Sequence, residues 1–235
     1  MNRTLVLAYL RQRLTSPMRL GILVLFTVFP LGAVVFMRTL SPLDSLAGLF
    51  AFVFAAGAIG QDVSSGTLQL LLVRPVSRPS LLVHRWLASV LGAVGMVVAI
   101  LALGTLALLA RGMHPDGLDL VRILLESVSS AAGYAAVVVA LSALVGGLGD
   151  VALWFLTFIF AQMLSGIAMF EHWDWLGRAS TELQGVLAPT LSWAWLVHGS
   201  PPPLFALASW ASTVTLALAV GITRLNRREL SYAAG

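Results

Sequence analysis

The amino-acid sequence predicts an all-α, polytopic membrane protein with about six transmembrane helices. Composition is the first reason: of 235 residues, 59% are hydrophobic and only 10% are charged. A soluble domain of this size needs far more charge on its surface. The second reason is that apolar runs of roughly 20 residues, long enough to span a bilayer, recur along the chain. The third is that most arginines lie in alternate loops between those runs.

A helix is expected before the first apolar run. Residues 3–16 combine apolar side chains at helical spacing with flanking arginines, a pattern typical of a helix lying in the membrane interface. Pro17 would separate this helix from the first span. A continuous extension of the first span is the alternative. We expect an interfacial helix within residues 1–17.

Six runs are long and apolar enough to cross the membrane. If the N-terminus is cytoplasmic, ten arginines lie on the cytoplasmic side and only Arg38, Arg111, Arg122 and Arg178 lie on the other. Because arginine is enriched on the cytoplasmic side of membrane proteins, we expect both termini in the cytoplasm. The predicted spans are Leu20–Met37, Leu43–Gly60, Trp86–Ala110, Val121–Gly147, Ala152–Phe170 and Leu204–Thr223.

The loop before the last span, residues 171–203, is the longest outside the membrane. It carries Trp173, Trp175, Trp193 and Trp195, and tryptophan favours the headgroup region. The stretch Leu183–Leu196 is too short and too polar to span, so we expect a short helix that dips into the outer leaflet. With no internal repeat, residues 1–235 are expected to form a single transmembrane domain.

A polar segment, residues 61–85, separates the second and third predicted spans, and we call it the coupling segment. Ser64 or Ser65 suits the N-cap of a short helix over Thr67–Val73, which Arg74 and Pro75 would end. A short helix that is parallel to the membrane and fixed at both ends is a lever that a cytoplasmic partner can move.

The second half of the coupling segment leads into the third span. Ser77 suits the N-cap of this second helix, because Pro79 is tolerated in a first turn. Arg85 and Trp86 are expected to anchor the helix at the membrane interface. Further along, Gly146, Gly147 and Gly149 with Asp150 predict a flexible turn between the fourth and fifth spans.

Residues 66–78, Gly-Thr-Leu-Gln-Leu-Leu-Leu-Val-Arg-Pro-Val-Ser-Arg, carry a family resemblance. Followed by a basic residue at Arg85, they resemble the signature of ABC-2 type exporter permeases, six-span subunits of ATP-binding cassette exporters. Asp62 matches an acidic position of that motif, Ser64 departs from a second one, and Arg85 replaces the more usual lysine. The resemblance extends to the span number, the N-terminal helix, the long external loop and the closing Arg-Arg-Glu-Leu.

The resemblance implies a permease subunit that couples ATP hydrolysis on a separate ATPase to export across the plasma (inner) membrane of a bacterium or archaeon. It implies two ATPase subunits, which bind ATP and magnesium, a second permease that is either another copy of this chain or a related permease, and no cofactor on this chain. The alternative is an anchor or regulatory subunit that recruits an ATPase without transporting. The residues expected to dock the ATPase are Asp62, Gly66, Thr67, Leu68, Leu70, Leu71, Arg74, Pro75 and Arg78.

The fourth span begins with polar residues one helical turn apart. Ionisable groups at membrane depth usually face the protein interior or water. Two interpretations remain open. In one, Glu126, Ser130 and Tyr134 line the outer half of a substrate path; in the other, Arg122 and Glu126 form a local ion pair near the outer surface.

Residue types exclude several other functions. The chain has no cysteine, and all fourteen basic residues are arginine, so it lacks thiolate metal sites, a Walker A lysine and Schiff-base chemistry. The four histidines do not have the spacing of metal ligands. An intramembrane serine protease would need glycine where Met163 stands before Ser165, and a histidine within a span. The basic charge indicates contact with anionic lipid rather than nucleic acid.

Overall fold

The computed structural model describes residues 3–44, 46–66 and 77–227, and every regular element within these ranges is a helix. Six helical stretches in this part of the chain are long and apolar enough to cross a membrane. The predicted all-α polytopic fold is therefore confirmed. The helices are α1 (Arg3–Leu14), α2 (Pro17–Met37), a 3-10 turn (Ser41–Leu43), α3 (Leu46–Ala55), α4 (Gly60–Ser64), α5 (Arg78–Leu109), α6 (Gly117–Leu144), α7 (Gly149–Glu171), α8 (Asp174–Leu187), α9 (Ala194–His198) and α10 (Leu204–Arg227).

The long helices alternate in direction through the bundle. Arg19, in the first turn of α2, donates to the carbonyl of Ala56 just after α3 (3.1 Å), whereas Arg111, just after α5, donates to the carbonyl of Val35 near the end of α2 (2.8 Å). We call the end at which α2 begins the near end and the opposite end the far end. The arginine distribution predicts that the near end is cytoplasmic.

The second and fourth spans form the centre of the bundle. Their apolar windows are 82% and 72% buried, whereas those of α2, α7 and α10 are at most 17% buried. Glycines allow close approach on the central helices. A Cβ at Gly133 of α6 would lie 2.1 Å from the carbonyl oxygen of Pro189, and one at Gly48 of α3 would lie 2.6 Å from the ring of Tyr134. The outer helices therefore keep broad apolar faces for lipid or for other membrane helices.

The second span is not the continuous helix that its apolar sequence predicts. α3 ends at Ala55, residues 56–59 form a turn, and α4 resumes at Gly60. Gly57 has φ +64°, in the left-handed region that favours glycine. We call residues 56–59 the break.

The coupling segment starts differently from its prediction. Residues 61–64 continue as α4, so Ser64 and Ser65 lie at the end of a helix rather than at an N-cap, and the Ser64 hydroxyl donates to the Gln61 carbonyl (3.0 Å). Gly66 follows with φ +72°. The helix predicted over Thr67–Val73 lies outside the described residues.

The third span starts where its N-cap was predicted. Ser77 has extended backbone angles and Pro79 lies in the first turn of α5, although the Ser77 side chain makes no capping hydrogen bond. The helix therefore includes His84, which the predicted span had left outside. The His84 Nδ1 faces the carbonyl and hydroxyl of Ser80 in the same helix.

The N-terminal residues form a helix of their own. α1 ends at Leu14, two residues separate it from α2, and Pro17 opens α2 as predicted. α1 packs mainly against α5, with Val6 and Tyr9 each 5% exposed. A separate helix, rather than an extension of the first span, is the arrangement found.

Residues 171–203 return into the bundle, and we call them the re-entrant hairpin. α8 folds back along α7: the Ser180 hydroxyl donates to the Ala161 carbonyl (2.8 Å), and the Trp154 Nε1 donates to the Leu187 carbonyl (3.0 Å). The predicted short helix Leu183–Leu196 is wrong in its bounds, because it joins the end of α8, a non-helical stretch and the start of α9. Pro189 explains the difference, since a residue before proline is disfavoured in a helix. We call residues 187–191 the tip.

Candidate functional site

The buried charges of the described residues meet at one place in the bundle. Arg13, Asp62, Arg85 and Asp150 are 3%, 6%, 7% and 0% exposed, and they are the charged residues buried in the ranges that the structure covers. They come from α1, α4, α5 and α7, and all contact the break or the helix that follows it. Charges at membrane depth are costly unless they are paired, so such a cluster indicates a functional junction. We call it the near-end cluster.

Two arginines donate hydrogen bonds to a main-chain carbonyl of the break. The Arg13 Nη1 and the Arg19 Nη2 both donate to the carbonyl of Ala56, at 2.8 and 3.1 Å. The same nitrogens reach the Gln61 Oε1 at 3.3 and 2.9 Å. A carbonyl at the end of a helix has no intrahelical donor, and the guanidinium group supplies several. The break is thereby attached to both α1 and α2.

Tyr9 supports these arginines. Its hydroxyl donates to the Phe54 carbonyl (2.7 Å), and its ring lies 4.7 Å from the Arg13 guanidinium and 5.0 Å from that of Arg85. Such cation–π contacts are favourable where water is excluded. Burial lowers the pKa of Arg13 below its usual value, but arginine remains protonated at neutral pH. Arg13 therefore keeps a fixed positive charge beside the break.

The main-chain N–H groups of the break find their acceptors at the turn between the fourth and fifth spans and on α6. The Asp150 Oδ2 accepts from the Gly57 N–H (2.6 Å), and the Ser142 hydroxyl accepts from the N–H groups of Ile59 and Gly60 (2.9 Å each). The Gly147 N–H donates to the Gly60 carbonyl (2.7 Å). The turn that its glycines predict to be flexible is instead docked on the break.

An ion pair joins the two helices that flank residues 67–76. Asp62 of α4 pairs with Arg85 of α5, and Arg85 also donates to the Ala58 carbonyl. This corrects one prediction, because Arg85 is buried in protein rather than anchoring the helix at the membrane interface. Asp62 is buried as well, and its contact with an ATPase stays a prediction. The pair joins the two described helices on either side of residues 67–76.

The remaining docking residues fall into two groups. Gly66 ends the described part of the second span, and the Arg78 Nη1 donates to the carbonyls of Leu225 and Asn226 at the end of α10 (3.2 and 3.1 Å). Their contact with an ATPase stays a prediction. Six others lie outside the described residues, and their role stays a prediction too: Thr67, Leu68, Leu70, Leu71, Arg74 and Pro75.

At the far end, the predicted ion pair is present and is part of a larger network. The Arg122 Nη1 lies 2.9 Å from the Glu126 Oε2, and Arg122 also pairs with Asp44 at 3.3 Å. Glu126 accepts from the Trp193 N–H (2.9 Å), so it attaches the non-helical segment between α8 and α9 to α6. Sequence analysis missed Asp44 and Trp193 as partners, because helical periodicity relates only neighbours within one helix.

The other two residues of the predicted path do not join this network. Ser130 is 4% exposed, and the ring of Tyr134 lies against Gly48 and 6.3 Å from the ring of Trp154. A role of Glu126, Ser130 and Tyr134 in a substrate path stays a prediction. In the described ranges, no three histidine or acidic side chains come together as metal ligands.

The fold and the near-end cluster define a class of protein. In the described ranges, six apolar helical stretches, two of them central, with buried charges at one end, form a multi-pass membrane protein in which an ion pair joins the helices before and after residues 67–76. The sequence profile of the family described as ABC-2 family transporter protein matches residues 36–194, about two thirds of the chain. The chain belongs to the ABC-2 transporter family, as its coupling segment suggested. It is a permease-type transport subunit rather than an enzyme. A comparison with individual curated proteins finds no match.

Proposed function

We propose that the chain is the permease subunit of an ABC exporter and that a cytoplasmic ATPase subunit binds residues 66–78. In this proposal the near end and both termini face the cytoplasm of a bacterium or archaeon. Two ATPase subunits bind ATP and magnesium, and a second permease copy completes the transporter. Membership of the ABC-2 family supports the pairing with an ATPase, and the arginine distribution supports the orientation.

The observation that carries the proposal is the anchoring of both flanks of residues 67–76. The Asp62–Arg85 pair joins α4 to α5 before and after this stretch, and Arg78 joins the start of α5 to the end of α10. Force applied to the stretch therefore reaches three spans at once. A surface loop without such anchors would move without displacing the helices.

In the proposed mechanism, ATP hydrolysis takes place on the partner and this chain converts the resulting movement. Because Asp62 and Arg85 hold α4 and α5 together, a displaced coupling segment carries both helices with it. The break lets α4 turn relative to α3, since residues 56–59 lack the continuous hydrogen bonds of a helix. The central second span thus bends at its near end while α3 stays packed in the bundle.

The docking assignment is tested by changing Leu70 and Leu71 together to serine. Burial of one leucine contributes roughly 1.5–3 kcal/mol, so loss of two should release an ATPase that grips this run. The measurement is co-purification of the two subunits from membranes. The control changes Arg224 and Arg227 together to alanine; both are exposed at the near end and are expected to face lipid headgroups. Retention of the ATPase by the double serine variant contradicts the assignment.

The same complex separates an exporter from a membrane anchor. A cysteine in place of Leu191, which is 4% exposed at the tip, reports movement by its rate of reaction with a maleimide. An exporter should show a labelling rate that changes when ATP is added. An anchor that only recruits the ATPase should show the same rate with and without ATP.

A further inference from the structure

Two side chains on the same face of α7 hold two different parts of the bundle. Asp150 and Trp154 are one helical turn apart and are 0% and 7% exposed. The Asp150 Oδ2 accepts from the Gly57 N–H in the break (2.6 Å). The Trp154 Nε1 donates to the Leu187 carbonyl at the tip (3.0 Å). The beginning of α7 therefore contacts both the second span and the re-entrant hairpin.

Both contacts pair main-chain groups that lie at or beyond the end of a helix and have no partner within it. Non-helical backbone inside a membrane protein must find its partners in the protein or in a water-filled cavity. Gly57 lies in the turn between α3 and α4, and Leu187 is the last residue of α8, where carbonyls lack intrahelical donors. Loss of either contact leaves a buried polar group unpaired, which gives each of them a structural consequence.

Aromatic packing stiffens the connection between the two contacts. The ring of Trp154 lies 4.9 Å from that of Phe52 on α3 and stacks on Phe158 of its own helix at 5.1 Å. The ring centroid of Tyr134 on α6 lies 6.3 Å from that of Trp154. Packed interiors transmit displacement rather than absorb it. When the break moves, the first turns of α7 therefore move with it, and they displace the tip.

We propose that Asp150 and Trp154 make the first two turns of α7 a mechanical link, so that bending of the second span at the break displaces the tip of the re-entrant hairpin. The link deepens the proposed function, on which its role in transport rests, since there the partner bends the second span. Asp150 and Trp154 are positioning residues. They carry movement from the near end towards the middle of the bundle, where the tip lies.

The test uses the permease alone in lipid nanodiscs and exploits the absence of cysteine from the chain. Leu187→Cys reports the tip and Ile59→Cys reports the break; the two native residues are 6% and 0% exposed, and a buried thiol reacts with a maleimide only when water reaches it. Asp150→Ala should raise the labelling rate at both reporters about tenfold, the effect of losing one hydrogen bond to a charged group.

Trp154→Phe tests the link in the opposite direction. Phenylalanine keeps an aromatic ring but loses the N–H donor to Leu187. Since coupling between two sites is reciprocal, this variant should raise the labelling rate of Ile59→Cys in the break as well as that of Leu187→Cys. Asp150→Asn keeps an acceptor oxygen for Gly57 and should hold both rates within about threefold of the parent.

The matched control is Ser89→Ala. It removes a hydroxyl that is 0% exposed and that bonds the Arg85 carbonyl within α5, away from α7. It should leave the Leu187→Cys rate unchanged. The link is wrong if Asp150→Ala exposes the break but not the tip, or if Ser89→Ala raises the tip rate equally. If Asp150→Ala does not fold, Trp154→Phe decides the matter. No ATPase is present, so these outcomes are independent of the docking assignment.

Discussion

An ion pair between Asp62 and Arg85 joins α4 to α5, the described helices on either side of residues 67–76. Both residues are buried, and removal of one partner leaves the other charge uncompensated. Arg85→Ala should therefore lower the free energy of unfolding by about 3–5 kcal/mol. Thermal unfolding of the purified chain in lipid nanodiscs measures this loss. Arg224→Ala, at an exposed position near the end of α10, is the control and should change stability by less than about 1 kcal/mol.

Equal stability of these two variants would mean that Arg85 is solvated in the protein. A second comparison separates charge from packing. Changing Asp62 and Arg85 together to leucine and methionine removes both charges, and should destabilise less than Arg85→Ala because no unpaired charge remains.

Both residues stand out in the sequence, but their burial and their pairing were not predicted. Asp62 and Arg85 stand on opposite sides of a polar segment, and nothing in local spacing shows that α4 and α5 bring them together. Their polar surroundings in the sequence favoured an exposed position. Arg13, Asp150 and Ser142 were missed as a set for the same reason, since they meet only through the fold.

At the scale of elements, Glu126 attaches the non-helical segment between α8 and α9 to α6. Its carboxylate accepts from the Trp193 N–H and pairs with Arg122. Glu126→Ala should release this segment, because the Trp193 N–H loses a hydrogen bond to a charged acceptor, which contributes roughly 1.5–3 kcal/mol. In a Leu191→Cys background, the expected result is a labelling rate at least about tenfold higher. Glu182→Ala, exposed on α8, is the matched control.

An unchanged labelling rate in Glu126→Ala would show that Arg122 and Glu126 form only a local pair. An accelerated rate would favour the path interpretation, because the carboxylate that holds the hairpin would then border the opening that forms when the hairpin is released. Glu126→Gln distinguishes charge from hydrogen bonding, since the amide oxygen still accepts from Trp193.

Whether an element was predictable depended on what kind of signal it carries. Long apolar runs locate spans well, and all six were found because each has close to the roughly 20 mostly apolar residues that a crossing helix needs. The break was missed because residues 55–60, Ala-Ala-Gly-Ala-Ile-Gly, are as apolar as the helices around them. The depth of α8 was missed because its polar outer face resembles that of an interfacial helix, while its buried face with Leu176, Ser180 and Leu187 fits a groove along α7.

At the scale of the molecule, the arginines predict the orientation. The predicted topology assigns ten of them to the cytoplasmic side and four to the other side. Reporter domains placed after Ala234 and within the hairpin at Gly199, an exposed far-end position, should report opposite sides of the membrane, with the first in the cytoplasm. The same side for both reporters would contradict a crossing by α10 and with it the six-span topology, and a cytoplasmic Gly199 with an external C-terminus would reverse the proposed orientation.

The packing of α10 on α6 has a consequence for biosynthesis. A Cβ at Gly221 would lie 3.2 Å from the Ala140 Cα, and the Trp210 Nε1 donates to the Ser129 carbonyl (3.2 Å), so the last helix covers the central one. The ribosome completes α6 at Leu144, about sixty residues before α10 begins at Leu204. During that interval one face of a serine-rich, partly charged helix lacks the neighbour that later covers it. The insertion machinery or the surrounding lipid must accommodate this face until α10 has been made, so the centre of the bundle is completed only after the re-entrant hairpin has been synthesised.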